Sequence, residues 1–325
     1  MSDRIAVITA LSGCSRGEPI TSTRPYCLLP VCNRELLLRH IDALKDSHEI
    51  VVVYNEQNKR ILDSKIPNVR FVADNDAGLR ALLGKAIIIP GDLLLRRKMR
   101  DEHGYAAAAD SSEEEESLKE LLRRLGLDVP RLAAEALRVN YPWELLNANQ
   151  ALIKEVKTSV DPSVTIEENV VIKGEVAIGK GSVILSGSYI EGPVVIGEGC
   201  EVGPMAHLRP ETSIGDGCRI GKSEVVDCVI MRGATSKHHA YLGHSVLGEE
   251  ANIGAFTVTA DYRHDGKSHV TLVHGEKVDT KRRKLGAFLG DRVHTAITTS
   301  IYPGRKIWPD GSTLPGEVVT KDKVS

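Results

Sequence analysis

His238 stands three residues before Tyr241, with His239 and Ala240 between them. A neutral imidazole near pH 7 can take a proton as a general base, a contribution of about 10²–10⁴-fold. A phenol can hydrogen-bond an oxygen on which charge develops. Upstream lies Arg209, and a guanidinium suits bidentate binding of an oxyanion such as a phosphate. Downstream come Asn252, Ala255, Asp261 and Tyr262. The polar stretch Asp261–Lys284 closes with Lys281-Arg282-Arg283-Lys284. That run is either a solvated charge cluster or a patch attracting phosphates within a Debye length.

These residues must be held by something, and the second half of the chain repeats. An aliphatic residue recurs every six positions: Val160, Ile166, Ile172, Ile178, Ile184, Ile190, Ile196, Val202, Leu208, Ile214, Ile220 and Val226. A second, mostly small or β-branched set follows four residues after each, including Ser182, Ser188, Cys200, Ala206, Thr212 and Cys218. This is the hexapeptide pattern of a parallel β-helix, in which three hexads close one triangular coil. The repeated aliphatic residue then points inward and stacks on its counterpart one coil later. The register breaks after Val226 and resumes at Tyr241, Leu247, Ile253 and Thr259. It is interrupted by Asp261–Lys284 and returns at Leu289, Thr295, Ile301 and Ile307. An interruption of that length is a candidate functional loop. Cys200 and Cys218 lie one coil apart and are expected to stack as buried thiols.

The first half alternates instead. Arg4–Ala10, Ile50–Tyr54, Val69–Val72 and Ala86–Gly91 read as strands. Leu36–Leu44, Ala77–Leu83, Leu118–Leu125, Arg131–Leu137 and Trp143–Val156 read as helices. The acidic run Asp110–Glu116 reads as a solvated loop or linker. Alternating strands and helices imply a doubly wound α/β sheet, with ligands at strand C-terminal ends. The expected domains are therefore 1–156 (α/β) and 157–325 (β-helix).

Composition agrees and excludes other classes. The 325 residues carry a net charge of −2, so no basic excess points to nucleic acid or an anionic membrane. Aromatics make up only 4%, as an aliphatic repetitive core would have it. Six cysteines form no CxxC pair, and no signal segment or bilayer-length apolar run is visible. The expectation is a cytoplasmic chain with reduced thiols.

Residues 5–34 resemble the N-terminal signature of sugar-nucleotide pyrophosphorylases: an apolar strand, then Arg16, Pro19-Ile20-Thr21, Pro25-Tyr26 and Leu28-Leu29-Pro30-Val31. Tyr141-Pro142-Trp143-Glu144-Leu145-Leu146 resembles the end of that domain in archaeal members. By the same resemblance Asp92, in Gly91-Asp92, is the carboxylate that carries Mg2+, with Asn140 a candidate second ligand. The departures are specific. Ser12 and Cys14 replace two loop glycines, Tyr26 replaces a lysine, and Asn75-Asp76 replaces Gly-Thr. The span from Asp92 to Tyr141 is too short for the family's sugar-binding part. The resemblance thus implies a reduced nucleotidyltransferase-like domain, with Mg2+ required only if that domain is active.

Residues 203–266 resemble the acetyltransferase domain of archaeal-type bifunctional enzymes that acetylate glucosamine-1-phosphate and then attach UMP. The matching strings are Gly203-Pro204-Met205-Ala206-His207-Leu208-Arg209-Pro210, His238 to Gly243, Asn252-Ile253-Gly254-Ala255 and Asp261-Tyr262. Val278 to Ala287 and Tyr302 to Ile307 extend the match. The resemblance implies a left-handed β-helix assembled as a homotrimer. It implies His238 and Tyr241 as catalytic residues, and Arg209, Asn252 and Tyr262 as substrate contacts. Ala255 and Asp261 would contact acetyl-CoA. The implied function is acetyl-CoA-dependent N-acetylation of an amino-sugar phosphate in UDP-N-acetylglucosamine biosynthesis. Two alternatives stay open: a non-catalytic sugar-nucleotide or assembly module, and an enzyme that keeps uridylyl transfer. The departures here are Val226 at the acceptor-site lysine, Asp261 for an asparagine, Phe256 for a corner glycine and Thr298 for an asparagine.

Overall fold

The computed structural model describes residues 5–12, 15–59, 62, 69–83, 85–95, 104–107, 112–128, 131–133 and 136–324. Contacts divide the chain into two compact units. One comprises Met1–Gly17, Arg24–Pro30 and Arg34–Asn140; the other comprises Glu18–Thr23, Val31–Asn33 and Tyr141–Ser325.

The first unit is built on six parallel strands: β1 (Ile5–Ala10), β2 (Glu49–Tyr54), β3 (Arg70–Ala73), β4 (Ile87–Pro90), β5 (Gly104–Ala107) and β6 (Arg131–Ala133). Their spatial order is 3-2-1-4-5-6, the doubly wound arrangement. Successive side chains on a strand face opposite sides. Val7, Val51, Val53 and Ile88 accordingly pack one face, with Leu79, Leu83, Leu118 and Leu122 from the helices α2 (Leu79–Leu83) and α3 (Glu113–Arg124). Ala6, Ile8, Val52, Ile87 and Ile89 pack the other, with Leu37 and Leu44 from α1 (Leu36–Leu44). Gly91, just past β4, admits no side chain, because a Cβ there would meet the Thr9 carbonyl oxygen at 2.2 Å.

Two expectations for this unit change. The acidic run is not a solvated loop from Ser112 onward: it opens α3, with Ser112 as the N-cap accepting from the Glu115 N–H at 3.1 Å. Asp110 and Ser111 lie outside the described residues. The described residues of the expected helix Arg131–Leu137 are strands: Arg131–Ala133 is β6, and Ala136–Arg138 pairs antiparallel with Leu93–Leu95. Sheet pairing of this short apolar segment overrides its helical pattern.

The long segment of the second unit opens with α4 (Pro142–Ile153), where Pro142 occupies the first turn and the Glu144 carboxylate accepts from the Tyr141 N–H at 3.0 Å. A parallel β-helix follows. Ile178 pairs with Ile196, Ile184 with Val202 and Ile190 with Leu208, each eighteen residues apart. The aliphatic column from Ile178 to Ile220 is buried, and it forms one cluster continuing through Leu247, Leu289, Ile301 and Ile307 to Val319. Ser182, Ser188, Cys200, Ala206, Thr212 and Cys218 are buried as the small second set. The Cys200 and Cys218 thiols, free and buried, hydrogen-bond the Gly215 and Met231 carbonyls, each at 3.1 Å. Burial pushes the Cys218 thiol up to about 12.

The register departs from the even beat of the sequence from Val225 onward, and the following pairs Ile214 with Ile230 and Ile220 with Ser236 are only sixteen residues apart. Leu208 pairs with Val225, not Val226, and Val225 in turn with Leu242. Val225 and Leu242 are fully buried, whereas Val226 and Tyr241 are not. The strands Arg219–Val226 and Thr235–Gly243 run straight through a corner, which shortens the coil and turns Tyr241 outward. The segment between Thr259 and Phe288 leaves the column and holds an antiparallel hairpin, Val270–Val273 with Glu276–Asp279.

Candidate functional site

The strand Thr235–Gly243 positions the central residues. Its neighbour Arg219–Val226 aligns Lys222 with His238 and Glu224 with Tyr241, with an irregularity between the two pairs. His238 is exposed, and its carbonyl accepts from the Phe256 N–H at 3.0 Å. His239 takes a left-handed backbone (φ 49°) and stacks its ring on the exposed Phe256, with centroids 5.3 Å apart. Phe256 therefore covers the second histidine and leaves the first open.

Tyr241, outward because of the register slip, donates its phenolic O–H to Asp261 Oδ2 at 3.0 Å. Burial and the charge on Asp261 push its pKa up, so the phenol keeps its proton. The carboxyl group of Asp261 lies 3.2 Å from His244 Nε2, off the line of a hydrogen bond. His244 Nδ1 is bonded to Asp227 Oδ2 at 2.7 Å. Asp227, 2% exposed, also accepts from Gln150 Nε2 at 2.8 Å and from the guanidinium of Arg282. A line of polar side chains, buried at Asp227 and His244, thus runs from the phenol to the basic run of the insertion. Arg282 is drawn into that line, while Lys281 stays exposed and pairs with Asp279. Asp227, His244 and Gln150 were not among the expected site residues, and Arg282 was expected only within the basic run, as solvated charge or a phosphate-attracting patch.

The other expected residues are more dispersed. Arg209 Nη1 donates to Glu224 Oε1 at 2.9 Å, next to Tyr241 in the ladder. Asn252 is exposed one coil on, paired with Thr235 and bridged to His294. The Ala255 carbonyl accepts from the Thr298 N–H at 2.7 Å. Tyr262, 52% exposed, lines a cleft of about 830 Å3 with Arg263, His264, His269, Tyr302 and Arg305. Among the described residues no side-chain hydrogen bond joins Asn252 or Tyr262 to His238 or Tyr241. Of the lysines available near Val226, Lys237 is tied to Glu201 at 3.0 Å, and Lys222 is exposed beside His238 in the ladder.

In the first unit Asp92 is fully buried, and its Oδ2 is 3.0 Å from Arg138 Nη1. Arg138 Nη2 is 2.7 Å from Glu115 Oε2. A guanidinium between two carboxylates does not fit a Mg2+ site, which needs near-octahedral oxygen ligands. Among the described residues no group of three or more His, Cys, Asp or Glu is arranged to hold a metal ion. Asn140 is 3% exposed, and its carbonyl accepts from the Tyr26 hydroxyl at 2.8 Å. Cys14, expected to crowd the phosphates, lies outside the described residues.

Comparison with known proteins places this architecture. A bifunctional sugar-1-phosphate nucleotidylyltransferase/acetyltransferase from Sulfurisphaera tokodaii is 30% identical, over 98% of this chain and 97% of the relative. This chain belongs to that family. The alignment runs over 393 positions, more than the chain's 325 residues, so the relative carries segments that this chain lacks. The bifunctional protein GlmU of Methanococcus aeolicus is 36% identical over 84% of this chain and 64% of its own length. That of Methanococcus maripaludis strain C7 reaches 45% over 59% of the chain and 46% of its own length. The family described as the GMPPB C-terminal domain matches residues 190–302, within the β-helix. No helix among the described residues is long and apolar enough to cross a membrane.

Proposed function

We propose that the β-helix is an acetyl-CoA-dependent N-acetyltransferase of an amino-sugar phosphate such as glucosamine-1-phosphate, acting as a homotrimer in UDP-N-acetylglucosamine biosynthesis. The observation that carries this reading is the pairing of an open imidazole, His238, with an outward phenol, Tyr241, fixed by Asp261. The sugar amine attacks the thioester carbonyl carbon. His238 takes the proton lost from nitrogen and returns it to the departing CoA sulfur. The phenolic O–H is already committed to Asp261, so its oxygen offers lone pairs. It accepts from an amine N–H or a sugar hydroxyl and orients the nucleophile. Arg209 spends one N–H on Glu224 and keeps others for the acceptor phosphate. Asn252, Tyr262, Ala255 and Asp261 complete the reading as substrate and acetyl-CoA contacts.

A thiol-release assay with acetyl-CoA and a panel of amino-sugar phosphates tests it. Turnover by the wild-type chain and a drop of about 10²–10⁴-fold in His238→Ala are expected. Wild-type turnover left intact in His238→Ala removes His238 as the base. Absence of thiol release with every acceptor supports the non-catalytic assembly reading, which the Phe256–His239 stack favours.

A further inference from the structure

The first unit presents what a nucleotide-binding loop presents, and the chain itself has filled it. In a doubly wound sheet the ligand crevice lies beyond the C-terminal ends of the strands where the order reverses, here β1 and β4. Backbone N–H groups there form concavities for anions. Leu11 and Ser12 follow β1, and both N–H groups point at a carboxylate. Leu11 donates to Glu114 Oε1 at 2.9 Å and Ser12 to Glu114 Oε2 at 2.9 Å. Thr9 Oγ1 donates to the same Glu114 carboxylate at 2.5 Å. Further along the loop, Arg16 donates its N–H to Glu113 Oε2 at 3.0 Å. The Ser15 hydroxyl donates to Glu113 as well, and the Tyr26 hydroxyl, whose closer acceptor is the Asn140 carbonyl, lies 3.1 Å from Glu113 Oε2. Glu114 is 1% exposed and Glu115 is fully buried.

After β4 the cation position is filled in the same way. Arg138 spans Asp92 and Glu115, and Ser112 also accepts from it. The remaining oxygen of Asp92, Oδ1, is buried with no hydrogen-bond partner among the described residues. One such oxygen beside a guanidinium does not make a divalent site.

We propose that α3 is an internal ligand of this loop: Glu113 and Glu114 replace the phosphates, Arg138 replaces the cation, and the first unit takes up neither nucleoside triphosphate nor Mg2+. The carboxylates are placed for this by the helix itself. Ser112 caps α3, and acidic side chains in a first turn are favoured by the helix dipole. A triphosphate entering the loop would strip Glu114 of three donors and leave its charge buried, which is strongly unfavourable. The inference rests on the first unit alone and stands apart from the acetyl-transfer reading.

The test uses the full chain. With millimolar Mg2+ and UTP, the wild type is expected to show no thermal shift, no calorimetric binding and no release of pyrophosphate on adding a sugar-1-phosphate. Saturable binding of Mg2+·UTP to the wild type overturns the proposal. Glu114→Ala empties part of the loop, and inorganic tripolyphosphate is then expected to raise its melting temperature while leaving the wild type unchanged. A folded Glu114→Ala protein indifferent to tripolyphosphate also overturns it. If that variant does not fold, Glu113→Ala opens the neighbouring half of the loop and is judged by the same comparison.

Discussion

At the scale of single residues, the acceptor-orienting group is more constrained than the base. His238 is an open side chain, whereas Tyr241 is one end of a line of polar side chains through Asp261, His244 and Asp227 to Arg282. Tyr241→Phe keeps the ring and deletes the hydroxyl. On the proposed mechanism kcat/KM falls on the order of tenfold to a hundredfold, the worth of one hydrogen bond to a reacting group. Steady-state kinetics by thiol release read this, and unchanged kcat/KM would mean that the phenol is only part of the scaffold. His238 and Tyr241 were legible in the sequence because they lie on one short string. The line behind them was not, since Asp227, His244 and Arg282 come from three places that only the coil and the insertion bring together. His244 follows directly on the string His238 to Gly243, and Asp227 sits where the register slips; those were the available signals.

At the scale of elements, the six-residue beat made the β-helix legible, because each inward position meets only its counterparts in neighbouring coils. The slip was hidden because the chain has two adjacent valines, and either satisfies an aliphatic pattern. The structure puts Val225 inside and leaves Val226 half-buried. Val225→Ala is therefore expected to lower stability by about 1–3 kcal/mol through lost burial and a cavity, and Val226→Ala by less than about 1 kcal/mol. Urea unfolding followed by Trp143 and Trp308 fluorescence separates them, and the reverse ranking would put Val226, not Val225, in the column. In the first unit the helical pattern failed at Arg131–Leu137 for a related reason. A short apolar run has no intrinsic preference strong enough to resist an open strand edge.

At the scale of the whole molecule, the first unit keeps an α/β core whose Leu11 and Ser12 N–H groups go to Glu114, and its stability carries its own pH dependence. His40 on α1 is 2% exposed, and its Nε2 lies 2.8 Å from the Leu93 carbonyl oxygen. Burial lowers its pKa from 6.5 to about 4. A histidine depressed in the fold binds fewer protons there than in the unfolded chain between those two values. Its contribution to stability is therefore fully present above about pH 6.5 and is lost as pH falls toward 4. The full difference amounts to about 3 kcal/mol. Cys27, 1% exposed in the same core, reports opening of this unit through its reaction with a thiol reagent. Reagents that stay reactive in acid, applied in urea at pH 7 and pH 5, are expected to label Cys27 at lower urea at pH 5. Replacing His40 by glutamine, which keeps a donor for the Leu93 carbonyl and has no proton to gain, should flatten that difference. A pH gap of the same size in His40→Gln would assign the acid sensitivity to another group, with Asp92 excluded by sign. Burial raises its carboxyl to about 6 against Arg138, so its ionisation costs stability as pH rises from about 4 to 6, opposite to His40.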